Sequence, residues 1–232
     1  MKKEKAPLGL YIHIPFCRQK CGYCDFYSLS GSDERMDAYC KALIAHLTET
    51  APQAAKHSVD TVYFGGGTPS LLGEKRLREI LKCVDKRYRV TKDAEITLEA
   101  NPDSAGDWKA LRALRKAGFN RISLGMQSAD DAELREIGRI HSMDQVRQAV
   151  DAARKAGFEN LSLDLIYGLP HQTLEGWQRN LEAAIALTPQ HLSCYGLKVE
   201  EGTKLWTYKD CANLPDDDAQ ADMYFYAVET LE

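Results

Sequence analysis

The sequence predicts an α/β fold: a partial six-stranded parallel (β/α)6 barrel, left open on one side. Three observations predict it. Six short runs of β-branched and apolar residues recur along the 232 residues, most of them followed by a segment with helical spacing. The tetrapeptide Lys-Ala-Gly-Phe occurs twice, at 116–119 and 155–158, each time closing a helix with a glycine cap just before a strand. Repeated βα units imply parallel strands, and right-handed crossovers curl such a sheet toward a barrel.

The apolar run Leu8–Ile14 is read as the first strand, and the helical pattern Asp33–Glu49 follows it after a cysteine-bearing loop at 15–26. The second and third strands are expected at Val59–Phe64 and Ala94–Glu99, with helices at Leu71–Arg87 and Asp107–Ala117 behind them. The fourth strand is expected at Asn120–Gly125, with a helix at Asp144–Ala156, and the fifth at Asn160–Tyr167. The next helix, Leu174–Leu187, shows its period plainly, because Leu174, Trp177, Leu181, Ala184 and Ile185 fall on one stripe. His191–Leu197 is read as the sixth strand.

After Pro215, Asp216-Asp217-Asp218 reads as a helix N-terminus, where acidic residues complement the dipole. Residues 219–232 continue as a helix with Met223, Tyr226, Ala227 and Leu231 on one side, and stop without a glycine cap, a proline or a polar tail. The expected organisation is one core over residues 1–215 and the truncated start of a C-terminal helical region over 216–232.

Composition narrows the function classes. At 44% apolar residues the chain can bury one substantial core. No apolar run approaches the roughly 20 residues that span a bilayer. Met1 to Lys5 are basic, but no signal segment follows. The net charge is −4, and the densest basic cluster, Lys86-Arg87-Tyr88-Arg89, reads as a solvated helix end rather than a nucleic-acid patch. A cytoplasmic protein without a nucleic-acid partner is expected.

Cys17, Cys21 and Cys24 stand as C-x3-C-x2-C in one short loop. Three thiolates can hold a soft metal centre but cannot complete four-fold thiolate coordination. An iron–sulfur cluster bound this way keeps one iron free of cysteine and open to another ligand. A zinc module would want a fourth ligand, commonly from a second cysteine pair. Cys40, Cys83, Cys194 and Cys211 are instead scattered singly, and His13 reads as a hydrogen-bonded structural residue. An odd count of seven cysteines without a signal peptide argues against disulfides.

In parallel barrels the reactive residues come from the carboxyl ends of the strands. Those ends carry the three cysteines, Gly65-Gly66-Gly67-Thr68-Pro69, Glu99-Ala100-Asn101-Pro102, Gly125-Met126-Gln127-Ser128, and Asp164 followed by Tyr167-Gly168-Leu169-Pro170. The glycines lack the Gly-Lys-Ser/Thr ending of a phosphate loop, and suit either a tight turn or a close backbone approach to a ligand. Position alone leaves Glu99 and Asp164 readable as salt-bridge partners or as ligands. His141 and His171 are read as structural.

The segment Tyr-Ile-His-Ile-Pro-Phe-Cys-x3-Cys-x2-Cys-Asp-Phe resembles the cluster loop of the radical S-adenosylmethionine (SAM) proteins. More narrowly, it is similar to the oxygen-independent coproporphyrinogen III dehydrogenases and their haem-chaperone relatives. Phe-Gly-Gly-Gly-Thr-Pro-Ser, Leu-Glu-Ala-Asn-Pro, Ser-Leu-Gly-Met-Gln-Ser, Gly-Arg-Ile-His-Ser and Asp-Leu-Ile-Tyr-Gly-Leu-Pro match that group in the same order. The resemblance implies a [4Fe-4S] cluster on Cys17, Cys21 and Cys24, whose open iron chelates SAM before an electron cleaves it to methionine and a 5′-deoxyadenosyl radical. It implies that Tyr11, Gly66 and Glu99 contact that SAM. Tyr23, Gly67, Thr68, Gln127, Arg139 and Asp164 match positions that hold a second SAM in the dehydrogenases. The dehydrogenases carry a fourth cysteine two residues after the third, where this chain has Phe26; Cys-Asp-Phe is the pattern of the chaperone branch. The resemblance therefore implies a haem chaperone with haem or a porphyrin as partner, beside a reductant and haem acceptors it does not identify. The alternative is coproporphyrinogen decarboxylation. In the family a further C-terminal domain covers the substrate, and in the chaperone branch it carries the haem-binding motif.

Overall fold

The computed structural model describes residues 6–232; the basic stretch Met1 to Lys5 lies outside the described residues. One sheet runs in chain order through β1 (Ala6–Ile14), β2 (His57–Gly66), β3 (Val90–Ala100), β4 (Arg121–Gln127), β5 (Asn160–Tyr167) and β6 (His191–Gly196). Every neighbouring pair is parallel. Strands β1 and β6 are each paired on one side only, so the sheet is the open, partial barrel that the alternation of runs predicts.

The connecting helices are α1 (Asp33–Thr50), α2 (Gly73–Arg87), α3 (Trp108–Ala117), α4 (Asp131–Glu136), α5 (Met143–Ala156), α6 (Leu174–Ala186) and α7 (Asp217–Leu231). Strand parity explains their side of the sheet. Ile12 and Ile14, Val62 and Phe64, Ile96 and Leu98, Ile122 and Leu124, and Leu163 and Leu165 are all buried. They alternate with residues that face the concave side. Phe64 of β2 meets Phe119 at a centroid distance of 5.0 Å, which welds the sheet to the turn after α3.

Both Lys-Ala-Gly-Phe copies build the same cap. Gly118 and Gly157 take positive φ, at 124° and 95°. The N–H of Phe119 donates to Leu114 O, and that of Phe158 to Ala153 O. This is the Schellman closure, in which a left-handed glycine lets the chain double back over the last turn. Each phenylalanine then drops into the core.

The structure departs from the sequence expectation at several boundaries. Strand β3 begins at Val90 rather than Ala94, because a register shift between Val59 and Thr61 lets it run on through the exposed Lys92 and Asp93. Helix α2 begins at Gly73 rather than Leu71; Pro69–Leu72 forms a separate 3-10 turn, ended by Gly73 at φ 79°. Helix α4, too short for its period to show in sequence, is capped by Asp130, which accepts from the N–H groups of Ala132 and Glu133. On α7 only part of the expected stripe is covered. Met223 and Ala227 are buried and the Trp177 Nε1–H donates to Met223 O at 2.8 Å, but Leu231 is 46% exposed.

Candidate functional site

The concave face is polar where a closed barrel of this kind would be filled with branched apolar side chains. Tyr63, Thr97, Glu99, Arg121, Ser123, Ser162, Asp164 and Ser193 occupy it. They bond to one another across the strands. Tyr63 OH donates to Glu99 Oε1 at 2.6 Å, and the backbone N–H of Gly66 donates to Glu99 Oε2 at 3.1 Å. Ser123 Oγ lies 3.1 Å from both oxygens of Asp164, and Ser193 also donates to that carboxylate. Ser162 Oγ bonds His191 Nδ1 at 2.9 Å.

Burial pushes the Glu99 and Asp164 carboxyls above the usual carboxylate range; the charge of Asp164 also raises Glu99. Their hydrogen bonds from Tyr63, Gly66, Ser193 and Ser123 pull the other way but do not offset the burial. Burial, then the Glu99 partner, drives the Tyr63 phenol far up, so Tyr63 remains a donor.

The loop after β1 is fixed by backbone contacts at both ends. Cys17 N–H donates to Leu29 O, and Gly67 N–H and Thr68 N–H donate to Ile14 O and Phe16 O at 2.8 and 2.7 Å. Gly67 is needed for this approach, since a Cβ there would stand 2.6 Å from Phe16 O. Further along, Gly22 N–H donates to Ile137 O at 2.9 Å, and Gly22 O accepts from Leu205 N–H at 2.8 Å. The loop is thus pinned to β2, to the segment after α4 and to the segment after β6.

Cys17, Cys21 and Cys24 are free thiols that border one cavity of about 370 Å3, within the size range of small-molecule sites. Thr68 Oγ1–H donates to Cys17 Sγ at 3.5 Å, and Arg139 Nη1–H to Cys21 Sγ at 3.6 Å. Burial raises the Cys24 thiol, with Cys21 and Cys17 adding to the rise and the Phe26 N–H opposing it. Soft thiols that border a shared space with hydrogen-bond donors aimed at them fit a cluster in which each holds its own iron.

The same cavity brings together almost every other residue that the sequence singles out. Tyr23, Gly66, Gly67, Thr68, Glu99, Gln127, Arg139 and Asp164 all border it. Tyr11 does not: its ring stacks on Tyr63 at 6.2 Å, its hydroxyl bonds His13 Nδ1 at 3.1 Å, and it is 61% exposed. His13 is hydrogen-bonded at both nitrogens, to Tyr11 and to Tyr27 O. Gln127 has φ 65° and sits under a Ser128 N–H to Met126 O bond, a three-residue turn held in a strained region. His141 and His171 stay outside the cavity; His141 bonds Met126 O, and burial with Arg139 nearby lowers it to about 4.

The sequence pattern shows Asn101 and Ser123 only within longer runs and does not single out Tyr63. Strand parity is the signal that could have found them. Asn101 lies two positions beyond Glu99, Ser123 two before Gly125, and Tyr63 two before Gly65, so each shares its neighbour's concave face.

Residues 11–184 match the model of the radical SAM superfamily. The chain is 42% identical over 222 residues to the heme chaperone HemW of Escherichia coli, covering 94% of this chain and 57% of that protein. It is 36% identical over 225 residues to the heme chaperone HemW of Bacillus subtilis, covering 96% of this chain and 59% of that protein. The chain thus spans less than two thirds of these relatives' length. Among solved structures, the coproporphyrinogen III oxidase HemN of Escherichia coli, described as a radical SAM enzyme, superposes with a TM-score of 0.88 at 29% identity. That match covers 98% of this chain and 52% of the oxidase. The Elp3 protein of Methanocaldococcus infernus shares the fold, with a TM-score of 0.66 at 16% identity over 97% of this chain and 54% of that one.

Proposed function

The chain belongs to the radical SAM superfamily, and from that premise we propose that it is the cluster- and SAM-binding core of a haem-handling protein of the HemW type. The observation that carries the reading is the meeting of three free thiols and the polar strand ends around one cavity. Cys17, Cys21 and Cys24 would hold a [4Fe-4S] cluster. When bound, such a cluster supplies an electron and one iron open to the amino and carboxylate groups of SAM.

The chain's own residues do the rest. Tyr63 and Gly66 each engage one oxygen of Glu99, and a carboxylate has about four lone-pair sites, so Glu99 keeps acceptors for the hydroxyls or amino group of SAM. Gly66 lets the backbone pass close to that ligand. Tyr11 stacks on Tyr63 at the same strand ends and would meet the SAM from beside Glu99. Tyr23, Gly67, Thr68, Gln127 and Asp164 complete the wall on which a second SAM would rest. Arg139 is largely committed elsewhere, to Cys21, Asn101 and Gly125.

Haem as cargo is supported by the relatives at 36% and 42% identity, both heme chaperones, and by Phe26, which stands 64% exposed at the cavity where the dehydrogenases carry a fourth cysteine. The test uses the full-length protein, reconstituted anaerobically and titrated with haem. Saturable haem binding beside a SAM-responsive cluster is expected; a loaded protein that leaves the haem spectrum unchanged overturns the chaperone reading.

A further inference from the structure

Two of the three thiols are joined by an unbroken chain of hydrogen bonds that runs along the wall of the cavity. Thr68 Oγ1–H donates to Cys17 Sγ at 3.5 Å, and Asn101 Nδ2–H donates to Thr68 Oγ1 at 3.0 Å. Asn101 Oδ1 accepts from Arg139 Nη2–H at 2.8 Å, and Arg139 Nη1–H donates to Cys21 Sγ at 3.6 Å. Asn101 sits in the middle and faces both ways, using its amide N–H on one side and its carbonyl on the other. No other side chain of its size offers both groups from one planar head.

The surroundings are shaped to this chain. Gly125 lies directly beneath it: a Cβ there would stand 2.9 Å from Gln127 Nε2, 3.0 Å from Arg139 Nη2 and 3.2 Å from Asn101 Oδ1. The Gly125 carbonyl takes the other Arg139 Nη2 hydrogen at 2.8 Å. Thr68 is 4% exposed.

We propose that Asn101 is a positioning residue for the cluster: through Thr68 and Arg139 it aims one donor at each of the Cys17 and Cys21 thiolates and so raises the reduction potential of the cluster they hold. The inference rests on the cluster reading given above. Reduction adds a negative charge, and donors aimed at the sulfur ligands stabilise the reduced form more than the oxidised one.

The test is the midpoint potential of the anaerobically reconstituted full-length protein, measured without SAM, together with its iron content and the melting temperature of the metal-free form. Thr68→Val deletes one O–H at nearly constant volume, and Asn101→Leu removes the link to both sides. With iron fully loaded, each is expected to shift the one-electron reduction equilibrium about tenfold toward the oxidised form, about 59 mV. The double variant is expected to fall short of the sum, because Asn101 acts partly through Thr68. Iron loss at an unchanged metal-free melting temperature also supports the proposal, since the thiols then lack their anchors. A wild-type potential in both loaded variants overturns it, as does iron loss that merely tracks a lowered melting temperature. Failure of the wild-type protein to hold iron would instead sink the cluster reading itself.

Discussion

Glu99 at the end of β3 holds Gly66 at the end of β2, accepting its backbone N–H at 3.1 Å. The bond fixes a glycine that has φ 113° and whose Cα faces the His13 ring, 2.6 Å from where a Cβ would stand. A carboxylate on one strand therefore sets the backbone of the next, at the place where a cofactor would approach.

Glu99→Ala is expected to weaken SAM binding by about 1–3 kcal/mol, the cost of a lost buried hydrogen bond, without emptying the cluster. Gly66→Val is expected to weaken it at least as much, because a β-branched residue meets both the left-handed backbone and the His13 ring. Calorimetry on the iron-loaded protein checks both. Unchanged affinity in the two variants would show that SAM binds elsewhere.

Serine at Cys17, Cys21 or Cys24 is expected to abolish the iron and sulfide of the reconstituted protein, about four of each per chain. Serine at Cys40, Cys83, Cys194 or Cys211 is expected to leave them intact. Cys194 belongs to the second group because it packs against the apolar core from β6 and does not border the cavity that Cys17, Cys21 and Cys24 share. Iron and sulfide analysis of each variant decides the matter, and cluster loss on changing Cys194 would count against the assignment.

The Asp164 carboxyl supplies a pH test of the metal-free protein. Burial raises it in the fold, so the folded chain keeps that proton to higher pH than the unfolded chain does. Its contribution is whole below the unfolded value of about 3.9 and is lost as pH rises through the folded value. Asp164→Asn stays neutral throughout and is expected to gain on the wild type as pH rises across that window. Urea midpoints of both proteins at several pH values measure the gap. An Asp164→Asn midpoint that falls relative to the wild type as pH rises would contradict the buried-carboxylate account.

The full-length protein is expected not to convert coproporphyrinogen III to protoporphyrinogen IX at a useful rate. Oxidative decarboxylation needs each propionate held within about 3–3.5 Å of the abstracting carbon, and Phe26 replaces the fourth cysteine beside the cluster loop. Anaerobic turnover with SAM and dithionite, with a dehydrogenase as control, follows the porphyrin product. Robust product formation would promote the oxidase reading.

Strand order, the glycine caps and the thiol loop were legible because each is written locally. A run of β-branched residues, a Lys-Ala-Gly-Phe and a C-x3-C-x2-C all act over a few positions. Asn101 was not legible as a hub, since its partners Thr68 and Arg139 lie 33 and 38 residues away and only the curl of the sheet brings them together. Tyr11 illustrates the converse. Its place on the concave face follows from parity, but its ring turns to Tyr63 and His13 rather than to the cavity, which parity does not tell.

The apolar side of strands β1 to β5 is turned toward the helices, and the polar side toward open space. Scaffold strength and chemical identity are therefore carried by different sets of residues on the same strands. Concave positions such as Ser123 and Asp164 stand apart from the apolar layer of Leu124 and Leu165, so a lineage built on this sheet can exchange the chemistry of the site without first solving the folding problem again.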